Sequence, residues 1–118
     1  MTPGRTENLQ IESSESPKGS RILKLTGPLT LSTLFDFQNV SRTEHAAPVI
    51  LEISGVPYMD SAGLGSMIGV YTSCHRHQRG FGIVGVTARI RTLFEVTGCD
   101  GMLPCFDSID AADAALHP

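Results

Sequence analysis

The period of the hydrophobic positions changes several times along the chain, and each change marks an element. The alternation Leu9-Gln10-Ile11-Glu12 predicts a short strand, and the polar run from Ser13 to Ser20, with Pro17 and Gly19, predicts the turn after it. Apolar Ile22, Leu23 and Leu25 resume until Gly27-Pro28, so the two stretches pair as a hairpin at one edge of a sheet. From Leu31 to about Ala46, residues Leu31, Leu34, Phe35 and Val40 recur at helical spacing, with Thr30 or Ser32 placed to cap the start. Val49-Ile50-Leu51-Glu52-Ile53 is β-branched and nearly continuously apolar, as in a central strand covered on both faces.

Beyond Ser54-Gly55-Val56-Pro57, residues Leu64, Met67, Ile68 and Tyr71 fall at i, i+3, i+4 and i+7, one buried helical face that ends near Arg79-Gly80. Phe81 to Val86 reads as the next strand, parallel to the central one across the helix. Thr87 is placed to cap a helix with Ile90, Leu93 and Phe94 inward, and Gly98 stands where a left-handed helix end is wanted. Met102 to Phe106 offers a short strand, and Asp107 or Ser108 starts a last helix with Ile109, Ala112 and Leu116 inward. That order predicts an α/β sandwich, a mixed sheet of four to five strands with about four helices. Residues 1–7 are expected as a ragged tail and 8–118 as one domain.

Composition removes whole classes of function. Nine Lys and Arg against twelve Asp and Glu give a net charge of -3, a poor footing for gripping nucleic acid phosphates. No apolar run approaches the roughly 20 residues of a membrane-spanning helix, and Glu7 and Asn8 stand where a secretion signal would be apolar, so a cytoplasmic protein is expected. Cys74, Cys99 and Cys105 are odd in number and fit free thiols in a reducing compartment.

The chemistry concentrates in Met59-Asp60-Ser61-Ala62-Gly63-Leu64-Gly65, just past the carboxyl end of the central strand and at a helix start. Helix starts present unpaired N–H groups and the positive end of the helix dipole, so a phosphate on Ser61 would meet donors at once. The same phosphate would bring nearly two negative charges beside Asp60. Ala62, Gly63 and Gly65 leave the approach uncrowded, and bulkier side chains at the two glycines are expected to obstruct a partner more than they unfold the domain. Helix capping alone also accounts for Asp60 or Ser61 here. Gly63-x-Gly65-x-x-x-Gly69 is a relaxed form of a dinucleotide-binding loop, but the following strand ends in Val86-Thr87 with no acid to hold a ribose. Cys74-His75-Arg76-His77 points its side chains about 100° apart on a helix, poor geometry for one metal shell. Ser61 also lacks a Gly-x-Ser-x-Gly elbow, so it reads as an acceptor rather than an activated nucleophile.

Gly55-Val56-Pro57-Tyr58-Met59-Asp60-Ser61-Ala62-Gly63-Leu64-Gly65 resembles the signature of STAS domains, particularly bacterial anti-sigma factor antagonists. The likeness extends through Leu25-Thr26-Gly27, Ile90 to Gly98 and Phe106-Asp107-Ser108, covering the chain from about residue 8 onward. It implies a non-enzymatic regulator without a cofactor, in which unphosphorylated protein binds an anti-sigma factor that is also a serine kinase. Phosphorylation of Ser61 by that kinase then ends the association, and a phosphatase resets it. By the same resemblance Asp60, Ala62, Gly63, Leu64, Gly65 and Thr30 belong to the partner-binding surface. Family members often carry an acidic residue after Gly-Glu-Leu before the first helix, whereas this chain has Gly27-Pro28-Leu29-Thr30. The alternative within the family is a non-switching STAS module that scaffolds a transporter or a signalling assembly.

Overall fold

Side chains that are apolar on both sides of one strand decide the layering. In the computed structural model, which describes residues 8–41 and 47–118, the elements are β1 (Gln10–Glu15), β2 (Arg21–Thr26), α1 (Leu34–Ser41), β3 (Val49–Gly55), α2 (Ser61–Arg76), β4 (Phe81–Val84), α3 (Ala88–Thr97), β5 (Cys105–Phe106) and α4 (Ile109–Leu116). The five strands lie in sequence order, β1 antiparallel to β2 and every later pair parallel, so β3 is the middle strand. Its Val49, Leu51 and Ile53 join Leu23, Leu25, Phe81 and Ile83 in the larger core with residues of α1, α2 and α3. Ile50 points the other way and packs with Ile22, Val84 and Ala112 of α4. Each such side chain, fully buried, contributes about 1.5–3 kcal/mol.

The expected element order and mixed sheet are present, with four corrections besides the extension of β1 through Ser13, Ser14 and Glu15, which the sequence pattern assigned to the turn. Met102 to Phe106 shrinks to the pair Cys105–Phe106, because the N–H groups of Met102 and Leu103 both turn back to the Cys99 carbonyl. β4 stops at Val84, not Val86, since Gly85 turns the chain at φ 82°. α2 ends at Arg76, short of the expected Arg79-Gly80, and Gln78 turns the chain left-handed at φ 58°.

The fourth correction concerns α1. The Thr30 carbonyl accepts from the N–H groups of Thr33 and Leu34, so the chain turns before the helix begins. That turn sets the phase: Thr33, Leu34 and Phe37 are buried and Val40 packs on the core. Leu31 and Phe35, expected inward, are instead 66% and 67% exposed. The tail at 1–7 and the continuation of this helix toward Ala46 fall outside the described residues. Thr87 caps α3 by accepting from Ile90, Gly98 ends it at φ 77°, and Ser108 caps α4 by accepting from Ala111.

Parallel β2, β3, β4 and β5 place their carboxyl ends along one edge of the sheet. The loops leading into α1, α2 and α3 gather there, where open α/β sheets carry their sites.

Candidate functional site

Asp60 organises that edge. Its backbone is extended (φ -99°, ψ -176°) and its carboxylate accepts from the Gly63 N–H at 2.8 Å, which makes it the N-cap of α2. The other carboxylate oxygen accepts from the Leu31 N–H at 3.1 Å, tying the start of α2 to the loop before α1. Backbone bonds sew the same two loops together: Leu29 N–H to the Tyr58 carbonyl at 3.2 Å, and Asp60 N–H to the Leu29 carbonyl at 3.4 Å. The Gly63 N–H is the chief cause that holds the Asp60 carboxyl below its usual range; burial pushes the other way, and the Leu31 N–H adds to the lowering.

Ser61 is the first residue of α2 and is exposed. Its N–H and that of Ala62 belong to the first turn, which has no carbonyl one turn back within the helix. Ala62 is half-buried, whereas Gly65 is exposed and an added Cβ there meets nothing within 4 Å. Gly65 and Ala62, with Ser66, Gly69 and Gln38 of α1, line a groove of about 430 Å³ that runs between the two helices behind Ser61.

Two residues expected on the partner surface are buried. Leu64 is 4% exposed and belongs to the larger core. Gly63 is buried against the Leu29 backbone: a Cβ built on it lies 1.9 Å from the Leu29 carbonyl oxygen. Its missing side chain therefore serves close packing of the two loops, not access for a partner. Thr30 is half-buried and spends its polar groups locally: Oγ1 accepts from the Ser32 N–H, and its own N–H donates to Thr33 Oγ1. In the Cys74-to-His77 stretch, Cys74 lies in the core while His75 and His77 are exposed, so the helix divides these side chains between interior and surface.

Sequence reasoning missed the exposed pair Leu31 and Phe35 beside this loop, and the bond from Leu31 to Asp60. Both depend on where the turn at Thr30 sets the helical phase, which hydrophobic spacing does not encode.

The chain resembles known proteins in both sequence and shape. A family model described as the STAS domain matches residues 9–112. The anti-sigma-B factor antagonist of Staphylococcus aureus (strain NCTC 8325 / PS 47) is 30% identical over 99 residues, which span 81% of this chain and 91% of that relative. Among solved structures, an anti-sigma factor antagonist from Mycobacterium paratuberculosis superposes with a TM-score of 0.81 at 18% identity, covering 98% of this chain and 100% of that one. The anti-sigma factor antagonist SpoIIAA, solved in its unphosphorylated form, gives 0.71 at 14% identity over 90% of this chain and 96% of its own. No described helix is long and apolar enough to cross a membrane. By fold and by sequence the chain belongs to the STAS domain family, with the anti-sigma factor antagonists as its kin.

Proposed function

We propose that this protein is a cytoplasmic anti-sigma factor antagonist that binds an anti-sigma factor serine kinase when Ser61 is unmodified and is released when Ser61 is phosphorylated. A phosphatase returns it to the binding state, and the domain itself catalyses nothing. The observation that carries the reading is the exposed hydroxyl at the first position of α2, held beside the capping Asp60. The residues that meet the partner are Asp60, Ser61, Ala62 and Gly65, with Thr30 at the margin.

Phosphorylation acts in two ways here. The helix N-terminus tolerates the new dianion within the domain, because free N–H groups and the dipole favour it. Across a docked surface the same group must shed water next to apolar neighbours and sits against the Asp60 carboxylate, which disfavours the complex. The S. aureus relative bears the antagonist name, and SpoIIAA is described in an unphosphorylated form; both agree with a switch of this kind.

The test is incubation of the protein with its cognate anti-sigma factor kinase and ATP, followed by mass spectrometric mapping. Phosphate on Ser61 supports the reading, and label elsewhere or none defeats it. Ser61→Ala is expected to bind the kinase as the unmodified protein does, and Ser61→Asp to bind poorly.

A further inference from the structure

Leu31 and Phe35 are large apolar side chains left 66% and 67% exposed on a domain that buries most others of their kind. They are not scattered. The Leu31 N–H is bonded at 3.1 Å to the carboxylate of Asp60, the residue before Ser61. Phe35 stands one turn before Gln38 on the same helical face, and Gln38 lines the groove whose other wall carries Ala62 and Gly65. Phe35 is therefore one turn nearer than Gln38 to the start of α1, whose preceding loop is bonded to Asp60.

We infer that Leu31 and Phe35 are the apolar anchors by which the kinase partner grips this protein, an inference that rests on the reading of Ser61 as that partner's substrate. A specific protein interface covers about 800 Å² on each side, a disc of roughly 16 Å radius. Any such contact centred on Ser61 takes in Leu31, which touches Asp60, and Phe35 one helical turn further on. A few side chains near the centre of an interface carry most of its affinity, and an aromatic or aliphatic anchor seated in a partner's pocket is one form they take.

Charge narrows the partner further. Across residues 27–41 and 53–74, which supply α1, the loop before it and most of α2, the only charged residues are Asp36 and Asp60. The face is apolar at its centre and acidic at two points, and its cations come from outside those stretches: Arg79 lines the groove and Arg89 lies over the Tyr58 ring. The occupant it fits is a protein surface with an apolar pocket for Phe35 and Leu31 and basic side chains at the rim toward Asp36. A phosphate on Ser61 then enters the dry middle of the contact, where it is least tolerated.

The experiment measures binding of the purified cognate anti-sigma factor kinase, loaded with ADP so that no phosphate is transferred, to the full chain and its variants. Phe35→Ala and Leu31→Ala are each expected to weaken binding about 10- to 100-fold, with the melting temperature unchanged because both side chains are exposed. Phe35→Leu is expected to restore binding to within a few-fold. Met102→Ala serves as control: Met102 is also exposed, at 42%, but precedes β5 at the opposite edge of the sheet. Unchanged affinity in Phe35→Ala and Leu31→Ala overturns the anchors while wild-type labelling at Ser61 still supports the switch. A loss equal to that in Met102→Ala overturns them as well. A kinase that neither binds nor labels the wild-type chain overturns both readings.

Discussion

Three glycines in one helix ought to behave alike, and the structure says that they do not. Ala in place of Gly63 puts a methyl group 1.9 Å from the Leu29 carbonyl oxygen and 2.6 Å from its carbon, where ordinary contact begins at 3.4 Å. The obstacle is backbone, held by the bonds between Leu29 and both Tyr58 and Asp60, so no side chain can swing away to relieve it. Overpacking of this kind costs about 1–3 kcal/mol. If the loops part, the Asp60 cap weakens as well, which adds about 1 kcal/mol. Against this stands the better helix propensity of Ala, worth up to about 1 kcal/mol. The net loss is about 1–3 kcal/mol, or roughly 5–15 °C in melting temperature for a domain of this size.

Gly65 and Gly69 have nothing within 4 Å of an added Cβ. There the propensity gain stands alone, and Gly65→Ala and Gly69→Ala are each expected to stabilise by about 0.5–1 kcal/mol. Thermal and urea unfolding followed by circular dichroism separates the signs directly. Gly63→Ala melting at or above the wild type would refute the packing argument; so would losses of similar size at all three positions. In Gly63→Ala the amide protons of Gly63 and Leu31 should also exchange faster, because both donate to the carboxylate that the displaced loops no longer hold in place.

Two further outcomes follow from the same geometry. Asp60→Ala is expected to lower stability by about 1 kcal/mol, and Asp60→Asn, which keeps a cap for Gly63 but has one acceptor oxygen for the two N–H donors of Gly63 and Leu31, by roughly half as much in urea unfolding. Phe37→Ala empties a fully buried site and should cost about 3–5 kcal/mol, whereas Phe35→Ala, two residues away but exposed, should stay within about 0.5 kcal/mol of wild type in the same assay.

Much of this architecture was legible because the apolar pattern and the caps agreed. The run from Val49 to Ile53 announced a strand covered on both faces, and its odd and even residues do enter two separate cores. Thr87 and Gly98 bracket α3 as their side-chain chemistry requires. Where the reading failed, tertiary contacts had the last word. Leu31 and Phe35 satisfy helical spacing as well as Leu34 and Phe37 do, and only the turn closed by the Thr30 carbonyl selects which pair goes inward. Glycines in a helix signal either close approach or indifference; nothing in Ala62-Gly63-Leu64-Gly65 tells which one lies under the Leu29 backbone. Position and exposure of Ser61 were readable from its place after a strand and before a strong apolar periodicity, but the link from Asp60 to Leu31 joins residues far apart in sequence.

A second aspartate shows why a lowered carboxyl range does not by itself mark a partner site. Asp113 in α4 is 3% exposed at the opposite edge of the sheet, where the turn between β1 and β2 meets the end of the last helix. Its carboxylate accepts from the hydroxyls of Ser16 at 2.6 Å and Ser20 at 2.8 Å and from the Lys18 N–H at 3.1 Å, with His117 Nε2 3.6 Å away. Burial pushes this carboxyl up, but the two hydroxyls, the Lys18 N–H and His117 together outweigh it and hold the group below its ordinary range. A folded-state value below the unfolded value means that the contribution to stability is complete above the unfolded value, about 3.9, and is lost as pH falls through the folded one. Asp113→Asn should therefore flatten the acid limb of stability against pH, measured by urea unfolding between about pH 2 and 7. At neutral pH it should cost about 2–3 kcal/mol, because a buried acceptor of three donors is replaced by a weaker one. An acid limb as steep as that of the wild type would show that Asp113 is not the group being titrated. Asp60 contributes with the same sign, yet it is exposed and Asp113 is enclosed. Enclosure, not the direction of the titration shift, separates a carboxylate that clamps a turn to a helix from one with surface left to offer a partner.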